Sequence, residues 1–145
     1  MFANFILRNI LIQMIRAIDE VLIYEIDGLR DNDLIENCSK FVLEELEIMQ
    51  PVYQAGLYLF FLYLNLSPLL KYKVTFINLS FEAKIEIINK WSNSRLSSKR
   101  DFIRLFRSLT LLSYYDNCKV LKNEGIDIKK HQRMLCYYNS GNLDG

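Results

Sequence analysis

Ala55-Gly-Leu-Tyr-Leu-Phe-Phe-Leu-Tyr-Leu-Asn-Leu66 is the stretch on which the fold turns. It lies inside a longer run, Ile48 to Leu70, that holds no charged residue. A helix that is apolar on every side belongs either at the middle of a bundle or in lipid. Crossing a bilayer takes about 20 apolar residues, and Gln50, Gln54, Asn65, Ser67 and Pro68 cut the strictly apolar part to about a dozen. That length suits a core helix, so a helix over 52–66 is expected at the centre of the fold. Pro51 opens it, at a position where the missing N–H costs little. Ser67-Pro68 closes it. Tyr53, Tyr58 and Tyr63, with Lys71 and Lys73 just beyond, are also residue types that suit a membrane interface.

Helices are expected on both sides of this run. From Phe2 to Ile26, Leu7, Leu11, Met14, Ile18, Val21 and Leu22 recur at three- and four-residue steps. Arg8, Arg16, Asp19 and Glu20 fall mostly off that stripe. Asp27-Gly28 supplies the break, since glycine accepts the left-handed conformation that ends helices. A second helix starts near Asp31 or Asn32, both good N-cap types. Leu34, Cys38, Phe41, Val42, Leu46 and Met49 form its apolar stripe, and Cys38 reads as a small core residue. Residues Leu69 to Leu79 read as an irregular, extended apolar linker. Ser80 caps the next helix, lined by Phe81, Ile85, Ile88 and Trp91. Ser98-x-x-Asp101 resembles a capping box for the last, with Phe102, Leu105, Phe106, Leu109 and Leu112 inward. Arg100, Arg104 and Arg107 share its other side. The expected fold is therefore all-α: a single-domain bundle of about five helices over 1–145, with 117–145 a less regular tail and a short helix around Lys129 to Tyr138.

Composition agrees. The chain has 145 residues, only 5 Gly and 2 Pro, and 51% hydrophobic residues. Lys+Arg is 18 against Asp+Glu 17, a net charge of +1 that argues against a nucleic-acid binder. No positive n-region or small-residue cleavage site marks a signal peptide at the start. The expected location is cytoplasmic or peripheral to the inner membrane.

The chemistry-bearing residue types are sparse. Cys38, Cys118, Cys136 and His131 are scattered, without the paired spacing of a zinc site. The odd cysteine count fits a reducing compartment better than a disulfide framework. No two glycines fall at G-x-G spacing, so no dinucleotide fingerprint or P-loop exists. No catalytic, cofactor-binding or metal-binding residue is assigned. Asp31, Asp33 and Glu36 form an acid cluster, which an N-cap and an acidic first turn explain equally well. The residues expected to meet a partner are Trp91, Arg100, Arg104, Arg107, Tyr114 and Tyr115, because arginines and tyrosines are enriched at interfaces.

Phe76-Ile-Asn-Leu-Ser-Phe-Glu-Ala-Lys-Ile-Glu-Ile-Ile-Asn-Lys-Trp-Ser-Asn-Ser94 resembles an F-x-x-L-S-x-E-x-R…L-x-x-W-x-x-S run, and Arg100 to Asp116, with Phe106-Arg107, Leu109, Leu112 and Tyr114-Tyr115, resembles the R-x-x-F-R-x-L-x-x-L…Y-Y segment that follows it. These runs are similar to the gluconate 2-dehydrogenase subunit 3-like family, and to the helical segment preceding the flavin domain of long-chain alcohol oxidases. Upstream, Ile18-Asp-Glu-Val-Leu is similar to the family's short acidic helix. Lys84 stands where that pattern has Arg, and Cys118 where Pro is common. The resemblance implies a non-catalytic small subunit that docks on and stabilises a larger chain, with the FAD held by that partner. Two other readings stand beside it: a membrane-associated helical protein that uses residues 48–70, and a small helical enzyme with a carboxylate such as Asp31, Asp33 or Glu36 in an apolar pocket.

Overall fold

A computed structural model describes residues 2–28 and 30–123, with the side chains of 5–117 except 27 and 29. These residues form α1 (Phe2–Asp27), α2 (Asn32–Glu47), α3 (Pro51–Leu66), the one-turn α4 (Leu69–Tyr72), α5 (Phe81–Ser92) and α6 (Ser97–Asn123), with a 3-10 turn at Phe76–Asn78 before α5. The fold is an all-α bundle, and no strand occurs among the described residues.

The helix ends follow local chemistry. Gly28 adopts φ +70°, and its N–H donates to the Tyr24 carbonyl at 2.8 Å, which closes α1. The Asp31 carboxylate accepts from the N–H groups of Asp33 and Leu34 at 3.1 and 3.3 Å, capping α2. Pro51 occupies the first turn of α3, and Ser80 caps α5 by accepting from the Ala83 N–H. Two expectations fail here. Ser98 lies inside the first turn of α6, not at its cap, because the helix begins at Ser97. The stretch 69–79 is not an extended linker: α4 and the 3-10 turn wind it inward and bury Phe76 in the core. Helix α6 runs through Asn123, and the rest of the tail expected over 117–145 lies outside the described residues. The helix expected over 129–138, together with His131 and Cys136, lies outside the described residues.

The centre of the bundle is α1, not the 52–66 helix. Helix α1 packs against α2, α6, α5, the 3-10 turn and α3. Met14, Ile15, Ala17, Ile18, Val21, Leu22 and Ile23 are all buried, so its middle is enclosed on nearly every side. Helix α3 lies at the edge. It inserts one row of residues, with Phe61 stacked edge-on to Phe102 and Phe106 at 5.4 and 5.2 Å, and Phe60 against Phe102 and Trp91. Only Phe61 and Leu64 of α3 are buried. Apolarity on every side does not say whose atoms cover a helix, and α3 turns one side away from its own chain. The first turns of α1 are likewise open: Leu7, expected on the core stripe, is exposed beside Phe5, Ile6 and Ile10. The core stripe of α1 starts at Leu11.

Candidate functional site

Helix α3 has two apolar stripes on opposite sides. Leu57, Phe60, Phe61 and Leu64 turn inward. Val52, Ala55, Leu59, Leu62 and Leu66 turn outward, and Val52 and Leu59 are 79% and 68% exposed. The outward residues are spaced by 3, 4, 3 and 4, and Leu69 in α4 adds another 3. That is the 3.5-residue repeat of a helix-packing seam. Ser67 and Pro68 both keep right-handed helical backbone, but α3 ends at Leu66 and α4 starts as a separate turn at Leu69. Exposed Tyr58 and Tyr63 and half-buried Gly56 and Asn65 neighbour the seam. At Gly56 a side chain would meet nothing within 4 Å, which leaves a notch in the outer surface. A contiguous apolar surface of this kind marks a contact site. No helix among the described residues is long and apolar enough to cross a membrane.

The face expected on α5 and α6 is largely used up within the chain. Trp91 is buried in the aromatic cluster with Phe60, Phe102 and Tyr63, under the Lys99 ammonium. Tyr114 is fully buried beside Ile23, Leu34, Ile35 and Cys38. Neither ring can reach a partner. The Arg100 guanidinium donates to the carbonyls of Ser94 and Arg95 at 2.6 and 3.1 Å, tying down the turn before α6. Arg107 donates to Glu25 of α1 at 2.9 Å. Arg104 is exposed, with Asp101 3.6 Å away, and Tyr115 is half-buried edge-on to Tyr114. Of the six residues expected to meet a partner, Arg104 is exposed with only its helix neighbour Asp101 close by, and Tyr115 is half-buried against the cluster of α1 and α2 residues that holds Tyr114.

The acid cluster does not form an apolar pocket. Asp31 is a helix cap, Asp33 is exposed, and Glu36 is exposed and paired with Lys40 at 3.0 Å. That pairing holds the Glu36 carboxyl below its ordinary range. Among the described residues no group of His, Cys, Asp and Glu is arranged to hold a metal ion.

The perturbed carboxyl is instead Asp19, fully buried where α1, α2 and α6 meet. Thr110 Oγ1 donates to its Oδ1 at 2.6 Å, and Ser39 Oγ lies 3.0 Å from its Oδ2. Burial without a paired cation pushes its pKa up to about 7, against the pull of the two hydroxyls. Ser39 Oγ also lies 2.7 Å from the Ile35 carbonyl. A hydroxyl has one proton, so when Ser39 donates to Ile35, the Oδ2 contact is satisfied by a proton on Asp19 itself. Beside this knot, burial raises the Cys38 thiol to about 11, so it is no nucleophile at neutral pH. Asn117 Nδ2 bridges from the Ser113 carbonyl, at 2.8 Å, toward Cys38 Sγ. The knot is sealed from solvent and offers a substrate no access. The sequence held a signal for it: Asp19 has Ile15, Leu22 and Ile23 three and four residues away, which puts it on the buried side of α1.

Compared with models of known protein families, with curated proteins and with solved structures, the chain matches none.

Proposed function

We propose that the protein is a non-catalytic helical interaction module that works by pairing the outer face of α3 with another polypeptide. The observation that carries this reading is the open, charge-free seam Val52–Leu69. A helix that merely solubilised the bundle would carry lysines and glutamates there, as α2 does on its outer side. The one strongly perturbed carboxyl among the described residues is closed off, which supports a role in contact and not in catalysis. The assembly it serves is taken to be that of a larger FAD-containing dehydrogenase or oxidase chain, at a cytoplasmic or peripheral membrane location. The support for the flavoprotein partner is the resemblance of Phe76–Asp116. Contact with a membrane surface is a second reading, favoured by exposed Lys73 at one end of the apolar face, next to Lys71, which pairs with Glu86 at 2.9 Å.

The test is mild affinity purification from the native host of the wild-type chain and of Leu59→Lys. A flavoprotein that co-elutes in fixed ratio with the wild type, and is lost with Leu59→Lys, is the expected result. Recovery of the chain bound only to itself keeps the interaction module and removes the flavoprotein. A lone monomer from both preparations overturns the proposal.

A further inference from the structure

We propose that Asp19, Ser39 and Thr110 form a proton-operated latch: loss of the proton on Asp19 frees the end of the bundle where Tyr114 of α6 seats against α1 and α2, while the larger core stays closed.

The buried apolar side chains among the described residues fall into two groups, and the division comes at one level on three helices. On α2, Val42, Leu43 and Leu46 belong to the larger group and Leu34, Ile35 and Cys38 to the smaller, with Ser39 between them. On α6, Phe102, Ile103 and Phe106 belong to the larger group and Tyr114 to the smaller, with Thr110 and Ser113 between. On α1, Asp19 stands four residues from Ile15 of the larger group and four from Ile23 of the smaller. Apart from the Tyr114 phenol and the Cys38 thiol, Asp19, Ser39, Thr110 and Ser113 are the buried polar side chains among the described residues. A polar layer therefore crosses the core at the junction of α1, α2 and α6.

A proton on Asp19 satisfies this layer. Thr110 Oγ1 donates to Oδ1 at 2.6 Å, and a protonated Oδ2 donates to Ser39 Oγ at 3.0 Å, which leaves the Ser39 proton for the Ile35 carbonyl at 2.7 Å. Without that proton, either Oδ2 or the Ile35 carbonyl loses its donor, and a charge lies among apolar side chains. No packed element brings it a cation. Arg16 of α1 is exposed, and Glu20 of α1 is taken by Arg30 and by Lys84 of α5. Glu36 and Lys40 of α2 pair with each other at the surface, and Arg107 of α6 pairs with Glu25. Helix α3 and the 3-10 turn carry no charge. The titratable groups beside the layer are the Cys38 thiol from α2 and the Tyr114 phenol from α6. Burial raises the Asp19 pKa to about 7, so the proton is exchanged near neutral pH. An ionised Asp19 needs water, and water enters on the side that yields more easily. The smaller group has five buried side chains against twenty in the larger, so its end opens as a local unit. The closed end holds the proton up to about pH 7 and the open end releases it near 3.8, so opening grows more favourable between these values and levels off above.

Cys38 lies in the smaller group and reports the opening. Val42→Cys places a second thiol one turn along α2, in the larger group. Both thiols of the full chain are labelled with a dithiodipyridine at a series of pH values from acid to mildly alkaline, and read separately by mass spectrometry. Dividing the rate of a free thiol at the same pH by each rate gives its protection. Cys38 is expected to lose at least about tenfold of its protection between acid and neutral pH, levelling off above, and to be labelled faster than the thiol of Val42→Cys throughout. Asp19→Asn should hold the protection of Cys38 constant. Thr110→Val, which removes a donor to the carboxylate with little change of shape, should move the levelling-off to higher pH. Constant protection of Cys38 in the wild type, or the same fall in Asp19→Asn, overturns the role of the proton. If Asp19→Asn loses its helical circular dichroism, an unmoved profile in Thr110→Val overturns it instead. Equal protection of the two thiols overturns the latch, because the whole fold then opens as one.

Discussion

At the junction of α1, α2 and α6 a carboxyl group sits where a leucine is the ordinary choice. On the outer face of α3, leucines sit where carboxylates are the ordinary choice. The first region is polar yet sealed: Asp19 meets Ser39 and Thr110 and no solvent. The second is apolar yet open, with Leu59 more exposed than many charged side chains. The difference teaches that residue type and burial are separate facts. A buried acid is tolerated when hydroxyls satisfy it and it keeps its proton. An exposed apolar stripe persists when something outside the chain covers it.

The largest expected effect sharpens the contrast within α3 itself. Phe61→Ala, on the inward stripe among Phe102 and Phe106, should cost about 3–5 kcal/mol of stability in denaturant unfolding, from lost burial and a cavity. Leu59→Ala, two residues away on the outward stripe, should change the stability of the dilute monomer by less than ~0.5 kcal/mol. Comparable losses at both positions would break the assignment of α3 to the edge.

The next effect belongs to Asp19. Its folded pKa of about 7 lies above the ordinary 3.8. Between these values the folded state holds a proton that the unfolded chain has released, so stability falls as pH rises from about 4 to 7 and levels off above. The full loss amounts to roughly 4 kcal/mol. Asp19→Asn supplies a neutral group of the same shape and should flatten that slope, leaving a variant at least as stable as wild type at pH 8. Thermal melts of both proteins across this range check it. A wild type that gains stability toward pH 7 would mean that Asp19 is ionised in the fold.

A smaller effect is expected at the α1–α6 edge. Arg107→Ala removes the ion pair with Glu25, which is partly exposed on both sides. The loss should be under ~1 kcal/mol and should shrink in high salt.

Much of the scaffold was legible in the sequence. Asp31, Pro51, Ser80 and Gly28 mark helix ends by short-range chemistry, which a linear reading captures. The stripes Leu34–Leu46 and Phe102–Phe106 name their buried faces for the same reason. What failed depended on distant partners. Arg107 looked free because Glu25 lies 82 residues away, and Arg100 because its partners are main-chain carbonyls. Tyr114 looked like an edge residue, yet α1 and α2 close over it, while Trp91, on the apolar stripe of α5, is covered by α3. The run 52–66 looked central because apolarity does not say whose atoms cover it. Its 3.5-residue repeat was the one local clue that an outward face exists at all.

The most direct test of an open, occupiable α3 face is site-resolved thiol labelling of Leu59→Cys and Leu64→Cys, each labelled site read by mass spectrometry. These positions lie on opposite stripes of one helix. In dilute protein, Leu59→Cys should react at the rate of an exposed thiol and Leu64→Cys should stay protected. On raising the concentration or adding the native partner, Leu59→Cys should become protected too. Protection of Leu59→Cys in the dilute monomer would return α3 to the core, and reactivity under every condition would show a face that nothing covers.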